Sequence, residues 1–529
     1  MDAGFGWDGP VTLLAPVVSI GLALALRRVV PALVAGIAVA SIVAARGDLL
    51  GGASASWSCF AQSACPDEVG AVAGVASYLG EAVVSWDNAR VTFFTLVVAC
   101  VVALLGVTGA TQRLVHALEG LARGPRGAQV ASWLAGLLVF FDDYASCLIV
   151  GGSMGPVCDR WGVSRAKLAY IVDSTSAPMA SLALVGTWIG YEVGLLDQAL
   201  VDAGQPAGGG YLLFVEGLPY RFYALYALAL VGIVAWTGRD LGPMVHEERR
   251  ARAHATHRAP LEAGSGLGVV AAAMPIVVLV AVTGATLVAD GVAALTVPLA
   301  EARAFQVLEG ADSYGAMVNG AIAALLVAVA VGFGSRTLTA ATLVGALRQG
   351  AASVLGALAV LYCAWTLGNA IADTGARDFL VAVLGDWLPP ALLPTVVFLV
   401  ACGVSFATGT SFGTMSILVP LAVPLGLAMG GGPLLAMTAA SVLAGACFGD
   451  HLSPVSDTTV LSAVGAGSDL VVHARTQLPY GLLAGAAAIL LGTLPAGYGV
   501  PAWLLVPVAL LAMTAVLRAL GTPVDDATA

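Results

Sequence analysis

Residues 140–146 read Phe-Phe-Asp-Asp-Tyr-Ala-Ser and place two adjacent carboxylates, Asp142 and Asp143, in a stretch otherwise apolar enough to lie in a lipid bilayer. Ionisable side chains at that depth are costly, and those that occur there usually serve a function. Residues 448–459 repeat the pattern around a proline. Their ionisable side chains are Asp450, His451 and Asp457. Both stretches therefore predict polar sites at the depth of a membrane.

The composition is that of an integral membrane protein. Of the 529 residues, 59% are hydrophobic and 10% are charged, whereas about 25% of the residues in a soluble domain are charged. Apolar runs such as 223–236 and 268–288 are continuous, as in transmembrane helices, and do not alternate like the strands of a membrane barrel. The sequence predicts an all-α polytopic membrane protein, with one transporter domain over residues 1–529 and the lipid bilayer around it.

The same composition argues against other classes of protein. The net charge of −10 comes mainly from acidic loops and leaves no basic stripe, so nucleic-acid binding is not expected. The sequence contains no nucleophile triad, Walker loop or HExxH motif, so an enzyme is not expected either. No cofactor is predicted besides transported ions.

Apolar stretches predict about eleven membrane crossings and two re-entrant hairpins. The hairpins cover 128–157 and 391–428, where polar and glycine-rich tips interrupt the apolar pattern. The predicted spans are 11–26, 29–45, 91–108, 164–190, 211–236, 267–289, 314–333, 350–372, 433–465, 477–494 and 500–518.

Charge sets the predicted orientation, because short cytoplasmic loops carry an excess of lysine and arginine. In this scheme the basic loops share one face, and acidic loops, among them those with Glu192, Asp197 and Asp202, share the other. The N-terminus is then outside and the C-terminus inside the cytoplasmic membrane.

Two segments outside the spans carry separate predictions. The arginine- and histidine-rich segment at about 238–266 is predicted to be a cytoplasmic linker between two halves of the chain. Cys59 and Cys65 lie in a polar loop on the predicted outer face, where either a disulfide or two free thiols would be compatible with the sequence.

An internal repeat relates residues 108–118 to residues 374–384 at a constant offset of 266. Repeat 1 covers about 81–236 and repeat 2 about 347–494, and each contains a hairpin followed by a broken helix. Five predicted crossings separate the two copies, so the second copy is inverted. Inverted repeats with broken helices place substrates and coupling ions near the midplane of secondary transporters.

The hairpin tips and helix breaks supply the candidate site. If the offset of 266 residues is continued without a gap, it pairs Asp142 with Thr408. Two neighbouring carboxylates that are partly dehydrated favour the protonated, neutral form, and Na⁺ can replace the proton. Hydroxyl and backbone oxygens suit Na⁺ as neutral ligands, and His451 could relay a proton. The candidate ion- or substrate-binding residues are Asp142, Asp143, Asp173, Ser174, Thr175, Ser176, Thr408, Gly409, Thr410, Ser411, Asp450, His451, Ser453, Asp457 and Thr458. The candidate Na⁺ ligands among them are Asp142, Asp143, Thr408, Thr410, Asp450 and Asp457.

These motifs resemble the NhaC family of Na⁺/H⁺ antiporters, and the resemblance covers most of the chain. The chain departs from the family's pattern at Phe412, where relatives often carry tryptophan, and at Leu452, where they often carry cysteine. The strongest matches are Phe-Asp-Asp-Tyr at 141–144, Lys-Leu-Ala-Tyr-Ile-Val-Asp-Ser-Thr at 167–175, Ala-Thr-Gly-Thr-Ser at 407–411, Gly-Asp-His at 449–451 and Ser-Asp-Thr-Thr at 456–459.

The resemblance implies a Na⁺/H⁺ antiporter that works by alternating access, with Na⁺ and protons as its partners. An alternative is a Na⁺- or H⁺-coupled transporter of a small organic acid, such as malate or lactate, or of an amino acid. A passive channel is a further alternative that broken helices with polar tips would permit. The sequence leaves the oligomeric state open, and a homodimer is one alternative.

Overall fold

The computed structural model describes residues 9–26, 28–46, 71–253, 268–295, 311–376 and 388–524, together with Val307, Phe379, Ala382 and Val383. This part of the chain is almost entirely helical. Its strands are β1 (Arg239–Asp240) and β2 (Thr522–Pro523), which pair antiparallel. Cys59 and Cys65, for which a disulfide and two free thiols are both open, and residues 254–266 of the predicted linker lie outside the described residues.

The helices are numbered along the chain. They are α1 (Leu14–Leu26), α2 (Val29–Ala44), α3 (Ala71–Val84), α4 (Trp86–Val107), α5 (Ala110–His116), α6 (Pro125–Leu138), α7 (Asp143–Arg160), α8 (Arg165–Ala180), α9 (Thr187–Asp202), α10 (Gly210–Gly217), α11 (Phe222–Thr237), α12 (Pro243–Ala253), α13 (Val269–Ala294), α14 (Ser313–Gly334), α15 (Ala340–Ala372), α16 (Leu393–Thr408), α17 (Ser411–Met429), α18 (Gly432–Leu452), α19 (Asp457–Ala466), α20 (Leu470–Ala488), α21 (Leu494–Gly497) and α22 (Ala502–Leu520).

Within the described residues, nine helices are long and apolar enough to cross a membrane, or ten if the pair α10 and α11, bent by 48°, is one span. The prediction of a multi-pass, all-α membrane protein is confirmed. The predicted spans 11–26 and 29–45 correspond to the shorter apolar helices α1 and α2. The sequence does not predict α3, because Ser77 and Glu81 weaken its apolar pattern.

Two helical hairpins form at the predicted places. In the first, α6 and α7 are joined by residues 139–142, and the Asp142 carboxylate caps α7 by accepting a hydrogen bond from Ala145 N at 2.7 Å. In the second, α16 and α17 are joined by Gly409 and Thr410, and Thr410 caps α17. Since the first turn is two residues longer, the structure pairs Asp142 with Thr410 and not with Thr408, the partner that the ungapped offset predicts.

Each hairpin tip packs against a break in the helix that follows. Residues 181–186 separate α8 from α9, and Thr187 N donates a hydrogen bond to Phe141 O of the first tip at 2.9 Å. Residues 453–456 separate α18 from α19, and Val455 in this break lies against Gly409 of the second tip. The two hairpins and the two breaks thus meet in the interior of the molecule.

The breaks interrupt two of the predicted spans. The stretches 164–190 and 433–465, each predicted as one span with a broken helix, are pairs of helices. Pro178 lies inside α8, which continues to Ala180. Proline lacks the amide donor but its carbonyl can still accept, so a helix can continue beyond it at a local cost.

Gly409 closes the second tip with φ of 69°, and a Cβ at this position would lie 2.9 Å from Val455 Cγ2. We expect Gly409→Ala to lower both the unfolding temperature in detergent and the transport rate in liposomes. A left-handed backbone costs a residue other than glycine about 1–2 kcal/mol, and Val455 must also move. Gly403→Ala on α16 is the matched control, since no atom lies within 4 Å of its Cβ position. Equal effects of the two substitutions would contradict this account of the tip.

Acidic side chains gather where α9 ends and α14 begins. Asp197 accepts hydrogen bonds from Tyr314 Oη at 2.9 Å and from Gly208 N at 2.7 Å. Asp373, at the end of α15, accepts a hydrogen bond from Tyr78 Oη at 2.8 Å. Glu192, Asp197 and Asp202 all belong to α9, so the prediction that they lie in an acidic loop is wrong for this segment.

Basic side chains gather where α11 and α22 end. Arg239 donates a hydrogen bond to Gly521 O at 2.6 Å, and Gly238 lies against the Arg126 guanidinium. The acidic side chains lie near the end of α9, and the basic side chains lie near the end of α11. We therefore call the part of the molecule around Asp197 and Asp373 the acidic end, and the part around Arg126 and Arg239 the basic end.

Candidate functional site

A cavity of about 1060 Å³ lies between α4, α15 and the two hairpin tips. Its walls include Thr95 to Val107 of α4 and Gln349 to Leu361 of α15. The polar side chains that line it are Arg28, Thr95, Gln112, Asp142, Asp143, Tyr144, Thr187, Tyr191, Gln349, Ser353, Thr410 and Asp457. The cavity thus joins the polar parts of both hairpins.

Asp142 and Asp143 reach the cavity because the first hairpin turns there. The Asp142 side chain is half-buried and caps α7, so one of its oxygens already has a backbone partner. Asp143 is only 4% exposed, and its Oδ2 has no hydrogen-bond partner among the described residues. A buried carboxylate oxygen without a donor is costly, and a cation or a proton would relieve that cost.

Asp457 brings a third carboxylate to the cavity from the beginning of α19. Its Oδ1 accepts a hydrogen bond from Thr458 N at 2.9 Å, and its Oδ2 accepts one from Tyr144 Oη on the first hairpin. Asp143 lies within electrostatic range of Asp142, Asp450 and Asp457. The three lining carboxylates therefore repel one another unless a proton or cation is present.

The second tip contributes Thr410 but not Thr408. Thr410 lines the cavity, and its hydroxyl lies 3.4 Å from Gly413 N, so the cap bond is long. Thr408 donates to Val404 O of its own helix at 2.8 Å and is absent from the lining. Threonine in a helix commonly bonds to the preceding turn, which explains why the structure does not place Thr408 in the cavity with Asp142, Asp143 and Asp457.

Asp450 lies behind the cavity wall. Ser411 donates to its Oδ2, and Ser456 donates to its Oδ1 at 2.5 Å. Through these bonds Asp450 holds the second tip to the break between α18 and α19. Ser456 and Thr458 lie 3.0 Å apart, and the buried Ser453 hydroxyl has no partner within the described chain.

The remaining predicted residues form a different cluster. Asp173 of α8 accepts hydrogen bonds from His473 and Gln477 of α20, and Ser174 lies 3.0 Å from His451 Nε2. None of these residues lines the cavity. The hydroxyls of Thr175 and Ser176 donate to carbonyls of their own helix. The predicted site is therefore divided between two places.

The structure adds residues that the sequence pattern does not single out. Thr187 and Tyr191 line the cavity from α9, and Tyr191 donates to Phe412 O at 2.6 Å. His473 and Gln477 contact Asp173, although they lie 300 and 304 positions away from it in the sequence. His473 lies outside the predicted span 477–494, and the structure includes it in the membrane helix because α20 begins at Leu470.

Charge gives the cavity its chemical preference. Among the described residues, its lining carries the carboxylates Asp142, Asp143 and Asp457 and one cationic side chain, Arg28. Across the described residues, no three His, Cys, Asp or Glu side chains are arranged as a site for a metal ion. The lining can hold a proton or a weakly bound alkali cation, for which fewer carboxylates and more neutral oxygens suffice.

Membrane-spanning helices, helical hairpins with polar tips and broken helices around one cavity define a secondary transporter. A model of the Na⁺/H⁺ antiporter family matches residues 179–495, well over half of the chain. The chain therefore belongs to the Na⁺/H⁺ antiporter family and is a transporter, not an enzyme. An uncharacterised protein of Haemophilus influenzae is 31% identical over 484 residues, which are 89% of this chain and 87% of that protein.

Shorter matches confirm the resemblance to NhaC. The Na⁺/H⁺ antiporter NhaC of Alkalihalophilus pseudofirmus is 34% identical over 112 residues, 18% of this chain and 24% of that protein. The malate-2H⁺/Na⁺-lactate antiporter of Bacillus subtilis is 33% identical over 113 residues, with the same coverage. The YdaH transporter of Alcanivorax borkumensis has a similar fold, with a TM-score of 0.55 at 19% identity over 79% of this chain and 91% of that one.

Proposed function

We propose that this protein exchanges Na⁺ for H⁺ across the cytoplasmic membrane at the cavity carboxylates. The observation that carries the proposal is that Asp142, Asp143 and Asp457, from two parts of the chain, line one cavity in which Arg28 is the one cationic side chain among the described residues. A site of this charge attracts cations and excludes anions. The family to which the chain belongs supports the same reading.

Exchange follows from competition at these carboxylates. When Na⁺ leaves, the mutual repulsion of the three charges favours protonation. When Na⁺ returns, it takes over the charge compensation and the proton leaves. The Thr410 hydroxyl and the backbone of the tip supply neutral oxygens, while Asp450 positions the tip through Ser411.

The cavity lining extends along α15 as far as Gln349, away from the end of that helix at Asp373. We infer that the cavity opens toward the basic end, which the charge rule places in the cytoplasm. Toward the acidic end, Trp365 donates to Gly194 O at 3.2 Å and Gln198 donates to Asn369 Oδ1 at 2.9 Å, so α9 and α15 are held together. We infer an inward-facing state, in which alternating access requires these contacts to separate.

The arrangement of hairpins and breaks supports an inverted repeat. Each tip packs on the break of the broken helix that follows it, and the caps Asp142 and Thr410 occupy equivalent positions. In such a transporter, one repeat moves relative to the other around a central site. The movement of the two tips would then expose the ion site first to one side of the membrane and then to the other.

Orientation can be tested by labelling single cysteines in a variant that lacks the eight native cysteines. We expect Ser335→Cys to react with a membrane-impermeant thiol reagent from the cytoplasm and Gln205→Cys from outside. Both positions are exposed. Gln205 follows α9, which ends at the acidic end, whereas Ser335 follows α14, which begins at the acidic end beside Asp197 and runs away from it. Labelling of both from one side would contradict the proposed topology and the inversion of the repeats.

The contribution of the second tip can be measured separately. We expect Thr410→Ala to raise the Na⁺ concentration for half-maximal exchange about fivefold, because the loss of one neutral contact costs about 1 kcal/mol. Thr408→Ala is the matched control and should leave this concentration unchanged, since the Thr408 hydroxyl bonds within its own helix. A larger effect of Thr408→Ala than of Thr410→Ala would show that the tip is placed wrongly in the site.

A carrier of small organic acids is the second candidate. The partial match to a malate-2H⁺/Na⁺-lactate antiporter favours it, and a cavity of about 1060 Å³ has room for more than a cation. The excess of carboxylates over cationic side chains in the described lining argues against it, because a dicarboxylate entering beside three carboxylates would lack compensating charge.

Flux into proteoliposomes separates the two candidates. We expect an outward proton gradient to drive radioactive Na⁺ uptake with no organic solute present, and malate or lactate to leave that uptake unchanged. If Na⁺ uptake requires malate or lactate, the organic-acid function replaces the proposed one.

A further inference from the structure

A second polar cluster lies apart from the cavity. We call it the Asp173–His473 cluster; it consists of Asp173 on α8, His473 and Gln477 on α20, and His451 on α18. All four side chains are at most 1% exposed, and none lines the cavity. The exchange proposed at the cavity carboxylates makes no use of His473 or Gln477, so their burial calls for another explanation.

The hydrogen bonds of the cluster leave one basic nitrogen available. Asp173 Oδ2 accepts from His473 Nε2 at 3.2 Å and from Gln477 Nε2 at 2.8 Å. His473 Nδ1 and Asp173 Oδ1 are buried and have no partner in the described part of the chain. Because Nε2 carries the hydrogen that it donates to Asp173, Nδ1 of the neutral ring holds a lone pair. That lone pair can accept a proton.

Charge balance favours a proton as the ligand. With a neutral imidazole, the Asp173 carboxylate leaves the cluster with one uncompensated negative charge in the interior. With a proton on Nδ1, the imidazolium lies directly against the carboxylate and the pair is neutral overall. Isolated buried charges are far more costly than hydrogen-bonded pairs. Na⁺ is a poorer ligand, because it prefers oxygen donors to a ring nitrogen.

The cluster also joins the two broken helices. Ser174, next to Asp173 on α8, lies 3.0 Å from His451 Nε2 on α18, and Gln477 donates to His451 O. His451 Nδ1 lies 2.6 Å from Tyr223 Oη on α11. A change of charge at Asp173 and His473 therefore acts on both helices that must move during exchange.

Other ionisable groups lie around this pair. His451 faces both Asp173 and His473. The further groups within electrostatic range of Asp173 are Cys147 of α7, Tyr223 of α11, Asp450 of α18 and Asp457 of α19. Asp450 and Asp457 are also within electrostatic range of Asp143 in the cavity, so a change of charge in the cluster affects the cavity carboxylates through them.

We propose that Asp173 and His473 form a second proton-binding site, separate from the cavity carboxylates, whose occupancy controls the exchange rate through the two broken helices. Its role in exchange rests on the function proposed above, whereas its ability to bind a proton does not. His473 carries the proton on Nδ1, and Asp173 is its counterion.

The first experiment measures how steeply the Na⁺-driven exchange rate depends on pH in proteoliposomes. We expect His473→Gln to retain exchange, but the number of protons calculated from the steepness of its pH dependence should be lower by about one. Glutamine keeps an amide donor for Asp173 and cannot take up a proton. His246→Gln on the linker helix α12 is the matched control and should keep the wild-type steepness.

The second experiment observes the proton without transport. In protein with ¹⁵N-labelled histidine, the His473 signal is the one absent from His473→Gln. We expect a doubly protonated His473 ring to be observed at the acidic end of the pH series, and its population to change in Asp173→Asn, which lacks the counterion. A His473 signal that stays neutral throughout, or equal steepness in His473→Gln and His246→Gln, would overturn the proposal. Should wild-type protein show no Na⁺/H⁺ exchange, the proposed function fails, and the NMR titration still decides whether the site binds a proton.

Discussion

Replacing Asp143 with asparagine should abolish Na⁺-driven proton movement in proteoliposomes while leaving the protein folded. Asp143 lines the cavity, and its Oδ2 is buried without a hydrogen-bond partner among the described residues. An amide can neither take up a proton nor balance the charge of Na⁺. The substitution also removes a buried charge, so it relieves desolvation and should not impair folding.

Asp159→Asn provides the control on the same helix. Asp159 is exposed at the other end of α7 and pairs with Arg165 at 2.6 Å. Exposed ion pairs contribute only about 0–1 kcal/mol, so exchange should continue near the wild-type rate. Normal exchange by Asp143→Asn, measured at the same protein density and pH, would show that Asp143 is not part of the ion site.

The largest effect on stability is expected at Arg221. This side chain is fully buried, donates to Glu192 Oε2 at 2.9 Å and to Ser181 O, and packs over the Phe214 ring at 4.4 Å. Arg221→Met should lower the free energy of unfolding by about 3–5 kcal/mol, because it leaves the Glu192 carboxylate buried and unpaired. Thermal unfolding in detergent measures the change.

The double variant Arg221→Met with Glu192→Leu separates the ion pair from packing. Removing both charges should recover most of the lost stability, since apolar residues often replace a buried ion pair at little cost. Double-variant protein that is as unstable as Arg221→Met would mean that the Ser181 carbonyl and the packing on Phe214, not the unpaired charge, cause the loss.

Apolar runs predict most of the helices, because a bilayer requires about 20 such residues for each crossing. The two hairpins follow from the polar tips at Asp142 and Thr410. The break between α8 and α9 is harder to place from sequence. It lies beyond Pro178 and ends at Gly186, where a Cβ would approach Phe141 O to 3.0 Å. A contact with a distant tip decides its position.

The candidate site is only partly predictable for the same reason. Sequence shows which polar residues occur in apolar stretches, but it does not show which ones meet. Asp142, Asp143, Thr410 and Asp457 reach one cavity, whereas Asp173 turns to His473, distant in sequence. Charge alone also misplaces Glu192, because its partner Arg221 allows a carboxylate to lie inside a membrane helix.

The central claim is that Na⁺ and H⁺ compete for the carboxylates of one cavity. The most direct measurement is proton release from purified protein in weakly buffered detergent when NaCl is added, with choline chloride as the ionic control. The account predicts that Na⁺, but not choline, releases protons from wild-type protein and that the variant Asp142→Asn/Asp143→Asn/Asp457→Asn releases none. Na⁺ binding that is detected by calorimetry without proton release, or equal release from wild type and variant, would contradict it.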